Sequence, residues 1–355
     1  MARILIKNGR VWDGEKFFFA DVLTDNELVS KIEPNINEAS DFVFDADGKI
    51  VSAGLVDIHV HMREISSKKF GIQAEMSCFP FGVTAAADAG GGRGNKEILD
   101  SFMLKNVVFA SAGIKNNTPD FDRVERWLDA YGDRAIGLKV YFDTDVEEVV
   151  DISPLYKICD YAHERDLKVM VHSSGSPTKM SEILETLGKG DILTHSFHGG
   201  KNNAADDGFE SIKKAKARGV VIDSGFAGHV HTDFAVLKEA ISCGAFPDTI
   251  STDITRFSAY IRGGRYGMTM CMSIAKMLGM SEEAIFKAST STPAKALRKE
   301  NEWGSLSVGR AADIAVFDYT DEGFDLSDKA GNRIYSNEGY RCVLTVSDGQ
   351  VVYRR

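Results

Sequence analysis

Gly54-Leu55-Val56-Asp57-Ile58-His59-Val60-His61 is an apolar run that closes on two histidines two residues apart. Alternate side chains of a β-strand share a face, so the His59 and His61 imidazoles point the same way and can share one metal ion. Related runs follow. Ala135-Ile136-Gly137-Leu138-Lys139-Val140-Tyr141 holds a lone lysine, and Leu167-Lys168-Val169-Met170-Val171 ends in His172. Asp191-Ile192-Leu193-Thr194 ends in His195, and Thr249-Ile250-Ser251-Thr252 ends in Asp253. Each chemically active side chain falls at the end of a predicted buried strand, the rim on which a parallel barrel carries its chemistry.

Working outward, short apolar runs alternate with helical segments from about residue 52, the texture of parallel βα units. Eight runs are predicted as strands: Leu55 to His59, Thr84 to Asp88, Val107 to Ser111, Ile136 to Tyr141, Lys168 to His172, Ile192 to His195, Val220 to Asp223 and Thr249 to Asp253. Eight is the number that closes a barrel. Helices are expected between them, with Ser153 before Pro154 and Ser281 before Glu282 as N-caps. The first 50 residues and the stretch after Pro293 read instead as short strands, among them Gly304 to Gly309, with Asn8-Gly9 and Asp13-Gly14 as hairpin turns. The expected class is α/β: a (β/α)8 TIM barrel over 52–303 and a small β-sandwich domain built by 1–51 and 304–355.

The 355 residues suffice for such a barrel and a satellite module. A formal charge of −10 argues against a nucleic-acid partner, and the basic run Lys213 to Arg218 reads as a solvated helix face. No stretch approaches the ~20 apolar residues of a membrane span. Five cysteines without CxxC spacing indicate neither a disulfide framework nor a thiolate zinc site, and a reducing cytoplasmic location fits. Self-association into a homo-oligomer stays open.

A lone histidine is more often a structural residue than a ligand, but several on one rim reverse that expectation. An ammonium in an apolar strand must be paired, shifted in pKa or chemically altered, so Lys139 is either ion-paired with Asp253 or Asp143, or carries CO2 as a carbamate that bridges two divalent cations. Histidine and carboxylate ligands without thiolate suit Zn2+, with Mn2+ or Fe2+ also compatible. Two bridged ions would acidify a shared water, and Asp253 can shuttle its proton to the leaving group. His229 and His231 repeat the HxH spacing in a loop beyond the seventh strand and read as substrate contacts or loop packing. His198, Tyr141 and Arg256 are further rim candidates, and His163 falls on a helix facing solvent. Gly90-Gly91-Gly92-Arg93-Gly94 lacks the lysine and hydroxyl of a P-loop, so no nucleotide site is assigned.

The HxH entry, the strand-four lysine, His172, His195 and Asp253 resemble the amidohydrolase superfamily, and the likeness covers essentially the whole chain. It implies one metal on His59, His61 and Asp253, a second on His172 and His195, and a carboxylated Lys139 between them. Met170 to Pro177, Gly190 to Phe197 and Ile250 to Ile254 resemble the branch labelled dihydroorotase-like or adenine-deaminase-like, some members of which hydrolyse acetyl-(R)-mandelate or N-acetyl-D-amino acids. Arg63 matches the arginine that dihydroorotases set against a substrate carboxylate, whereas Ile254-Thr255-Arg256-Phe257 lacks their His-Ala-Pro. Phe226 to His231 also departs from the branch's glycine-rich loop. The expected function is metal-dependent hydrolysis of an acyl amide or ester in a small carboxylate-bearing substrate. The rivals are a cyclic amidase of dihydroorotase or hydantoinase type, a mononuclear deaminase, and a metal-free scaffold.

Overall fold

The computed structural model describes residues 3–61, 71–90, 94–227, 230–261, 266–320 and 322–355. Five strands open the chain: β1 (Ile4–Trp12), β2 (Phe17–Asp25), β3 (Leu28–Glu33), β4 (Phe42–Asp45) and β5 (Ile50–Ala53). Next come β6 (Leu55–Val60), β7 (Val83–Ala89), β8 (Lys105–Ala112), the short pair β9 (Ile114–Lys115) and β10 (Thr118–Pro119), then β11 (Ala135–Tyr141), β12 (Lys168–His172), β13 (Ile192–Thr194) and β14 (Val221–Ile222). The chain closes with β15 (Ile314–Thr320), β16 (Phe324–Ser327), β17 (Arg333–Ser336), β18 (Gly339–Ser347) and β19 (Gln350–Arg354).

Strands from both chain ends share one sheet, in the order β19-β18-β15-β5-β1-β2-β3 with β4 also on β1. Ile4, Ile6, Val22, Val51, Ile314, Val316, Leu344 and Val346 form its buried core. Asp13-Gly14 makes the expected hairpin turn, with Asp13 Oδ1 accepting from the Glu15 and Lys16 amides at 2.8 and 2.9 Å. Asn8-Gly9 does not turn the chain: it lies inside β1, where Asn8 at φ 56° produces a bulge between Ile6 and Gly9. The stretch Gly304 to Gly309 is not a strand either, because both glycines sit in left-handed backbone at φ 72° and 85°. The residues just beyond it cover the edge of β3 instead, with Val29 donating to the Arg310 carbonyl at 2.9 Å.

The second sheet is all parallel, in the order β14-β13-β12-β11-β8-β7-β6. The eighth segment closes it through isolated parallel bridges, Asp223 to Thr249 on one side and Val60 to Ile254 on the other. It lacks a full ladder because side chains take its amides: Ser224 Oγ accepts from Ser251 N–H at 3.1 Å and Asp57 Oδ1 from Thr252 N–H at 3.2 Å. Val56, Ile58, Ala85, Ala87, Phe109, Met170 and Ile192 pack as one buried cluster with Leu297 and Trp303. Val60 packs in a different cluster, with the helices. A register irregularity between Asp57 and Val60 separates the two, and it hands the inward face from Val56 and Ile58 to His59 and His61.

Helices lie between the barrel strands as expected, among them Phe121–Tyr131, Ser153–His163 and Phe234–Ser242. Ser281 caps the helix Glu282–Ser289 by accepting from Ala284 N–H at 3.2 Å. Ser153 does not cap; it is the first helical residue, and Asp151 Oδ1 accepts its N–H at 2.9 Å. His163 ends that helix with its ring partly exposed, yet its Nε2 meets the buried Asp191 Oδ2 at 2.8 Å. Lys213, Lys216 and Arg218 lie on the helix Glu210–Arg218 and spend their charge locally on Glu210, Asp248 and the Leu184 carbonyl. No helix among the described residues is long and apolar enough to cross a membrane.

Candidate metal centre

At the C-terminal rim of the barrel, His59, His61 and Asp253 place three ligand atoms within 4.8 Å of one another. Asp253 Oδ1 lies 2.9 Å from His61 Nε2 and 3.3 Å from His59 Nε2. The tautomer of His59 follows from its neighbours. Thr194 donates its hydroxyl to Asp223 Oδ2 at 2.7 Å, so its oxygen accepts from His59 Nδ1 at 2.9 Å and leaves the Nε2 lone pair directed into the cluster. Asp223 is held in turn by the Thr249 and Ser251 hydroxyls, each at 2.7 Å. Asp57 ties the first strand to the eighth segment by accepting the Thr252 hydroxyl at 2.6 Å.

A second group, His172, His195 and His231, also brings three ligand atoms within 4.8 Å of one another. His195 Nδ1 donates to the Gly225 carbonyl at 2.7 Å, while its buried Nε2 has no hydrogen-bond partner among the described residues. His172 turns its Nε2 to Asp143 Oδ2 at 3.1 Å and Ser174 Oγ at 2.8 Å, which leaves Nδ1 as its free ring nitrogen. His195 and Asp253 both adopt left-handed backbone, φ 60° and 46°. For residues with a side chain this costs about 1–3 kcal/mol each and turns both groups inward where extended strand would carry them onward.

Lys139 is fully buried in β11, with Nζ 3.1 Å from His59 Nε2. Asp143, one of its two anticipated partners, is engaged by His172 instead. Burial pushes the Lys139 ammonium down to about 7. It likewise lowers His59 to about 4 and His231 to about 3, so these imidazoles are neutral and free to ligate near pH 7. Burial acts to raise the Asp253 carboxyl, but the surrounding histidines His59, His61 and His231 outweigh it and hold the group well below the ordinary range. Asp57, by contrast, is pushed up to about 7 by burial. Neutral nitrogens, an ionised carboxylate and an orphaned His195 Nε2 form a donor set that fits divalent cations.

The remaining expected contacts divide. A cavity of about 360 Å³ beside the second group is lined by Asp143, Ser174, His198, His231 and Lys329, among others. His198 Nδ1 accepts from the Gly200 amide at 3.1 Å, and its buried Nε2 is unpartnered among the described residues. Tyr141 donates its hydroxyl to the Gly90 carbonyl at 2.8 Å, with its ring 5.8 Å from that of His172. Arg256 opens the short helix Arg256–Ile261 just beyond Asp253 and is half-buried. Arg63 and His229 lie outside the described residues. Sequence reasoning did not assign Asp57, Asp143, Ser174, Thr194 or Asp223 their orienting roles. The available signal was Asp57, a carboxylate inside an otherwise apolar run, and Asp223, a carboxylate at the end of one.

The amidohydrolase family profile matches residues 50–352. A protein of Enterococcus faecalis named a deacetylase is 28% identical and spans 98% of each chain. Crystal structures described as a dihydroorotase and as an adenine deaminase superpose over 99% of both chains, with TM-scores of 0.84 and 0.85, each at 23% identity.

Proposed function

The chain belongs to the amidohydrolase family and is a hydrolase, and on that premise we propose that it removes an acyl group from an N-acyl or O-acyl carboxylic acid. The observation that carries the reading is the pair of ligand groups on one rim, with His195 Nε2 left open between them. In this assignment His59, His61 and Asp253 would hold one divalent ion, His172 and His195 would hold a second, and Lys139, carrying CO2 as a carbamate, would supply an anionic oxygen ligand to both. A lysine held near neutrality is the form that reacts with CO2, which supports the bridge. The donor set favours Zn2+.

When bound, the ions acidify the attacking water and polarise the scissile carbonyl. Asp253, ionised and within 3.8 Å of three histidine rings, accepts the water proton and delivers it to the departing nitrogen or oxygen. The Thr194 hydroxyl, itself donated to Asp223, holds His59 in one tautomer, and Asp143 and Ser174, each against Nε2, do the same for His172, so the reacting geometry is set before substrate arrives. In the adjoining cavity, His198 Nε2 and Lys329 are the groups suited to a substrate carboxylate. Residues 1–51 with 304–355 then form the supporting unit and 52–303 the catalytic one, and the free cysteines suit a cytoplasmic setting.

Similarity to a deacetylase, 28% identical over nearly the full length of both chains, supports linear acyl transfer to water. Incubation with N-acetyl and O-acetyl carboxylic acids, alongside dihydroorotate and hydantoins, tests the choice. The proposal expects acetate release; ring opening without acetate release would replace it with the cyclic-amidase reading.

A further inference from the structure

We propose that His231 is a third histidine ligand to the ion that His172 and His195 would hold, so that three imidazoles retain this ion even where the lysine is lost. The inference rests on the binuclear reading above. The His231 ring centroid lies 4.2 Å from that of His195 and 5.0 Å from that of His172, and the three rings present ligand atoms within 4.8 Å of one another. Two of the three nitrogens are already aimed. His195 is fixed through Nδ1 and leaves an unpartnered, fully buried Nε2, while His172 is fixed through Nε2 and leaves Nδ1. A third nitrogen converging on that point gives three histidine ligands beside the lysine, a donor set that suits zinc.

The loop that carries His231 is built to hold it there. On one side, Phe226 and Ala227 donate their amides to the Ser251 and Thr252 carbonyls of the eighth segment at 3.2 and 2.9 Å. On the other, Asp233 N–H donates to the Phe197 carbonyl at 2.9 Å, and the Asp233 side chain accepts from Asn332 Nδ2 at 3.1 Å. At its start, Gly225 takes φ +52°, where a Cβ would fall 2.5 Å from His195 Nδ1. Only glycine lets the loop pass this close to the His195 ring before it returns His231 to the cluster.

Lys139 Nζ, by contrast, lies against His59 Nε2 of the other group. Loss of the lysine therefore weakens the first ion most, and in Lys139→Ala the remaining ion is expected on His172, His195 and His231.

Co2+ titration of the metal-free protein against a competing chelator tests the assignment. His231→Ala should weaken one of the two cobalt affinities by at least about 10-fold and leave the other unchanged. His231→Cys should restore part of that affinity and add a near-ultraviolet thiolate-to-cobalt absorption that a mere packing residue would not produce. Unchanged cobalt affinities in His231→Ala, with a raised KM, would make His231 a substrate contact and overturn the proposal. If the parent itself bound one ion, the binuclear reading would fall, and the effect of His231→Ala on that ion's affinity would still decide the role of His231.

Discussion

Thr194→Val removes a single hydroxyl from beneath the His59 ring and keeps the side chain's shape. The hydroxyl accepts from His59 Nδ1 at 2.9 Å and donates to Asp223 Oδ2 at 2.7 Å, and all three residues are buried. In the variant the His59 N–H has lost its acceptor, and Asp223 has lost one of its three hydroxyl donors. A buried donor left unsatisfied costs about 1–3 kcal/mol, and a hydrogen bond to a charged acceptor contributes about 1.5–3 kcal/mol, so the metal-free protein should lose about 2.5–6 kcal/mol. The imidazole is also released to the other tautomer, which should weaken the first ion by about 10–100-fold. Thr194→Ser keeps the hydroxyl and sheds one buried methyl, a loss of about 1 kcal/mol. Chelator competition gives the ion affinity and thermal melting of the metal-free protein gives the stability. Parental ion affinity in Thr194→Val, with stability equal to that of Thr194→Ser, would refute the orienting role.

Asp253→Asn keeps the size and one oxygen ligand but cannot take a proton, so kcat should fall about 100-fold or more while elemental analysis still finds bound metal. Lys139→Ala should lose ion content and kcat together, with short carboxylic acids restoring part of both, whereas Lys139→Arg, still cationic, should not respond. Burial holds Lys139 near 7 against an ordinary 10.5, so between those values the unfolded chain binds the extra proton and the metal-free protein gains stability as pH rises. Lys139→Met should flatten that rise in a series of melts from neutral to alkaline pH. Gly225→Ala would put a Cβ 2.4 Å from Thr194 Oγ1 in left-handed backbone; it should cost about 1–3 kcal/mol in thermal melting and shift the His195 ring.

The barrel and the rim were legible because buried parallel strands are apolar throughout, so a histidine, lysine or aspartate at a strand end stands out. Partners were not legible. Asp223 ends a strand like the other rim residues, but nothing local shows that it gathers the hydroxyls of Thr194, Thr249 and Ser251. The i, i+2 argument held for His59 and His61 as a pair, yet their inward direction depends on the irregularity after Asp57, which alternation alone does not show. Left-handed backbone at His195 and Asp253 carries no glycine to announce it. The position of His231 depends on hydrogen bonds from its loop to residues distant in sequence, so the spacing of two loop histidines could not place it. Asn8-Gly9 misled for the opposite reason: a strong turn dipeptide was absorbed as a bulge within a long strand.

The central claim is a two-ion centre assembled on these side chains. Protein loaded with zinc in bicarbonate, freed of loosely bound ions and subjected to elemental analysis, should contain about two ions per chain, since the rim offers two separate three-ligand groups. A content that stays near one per chain under those conditions would contradict it.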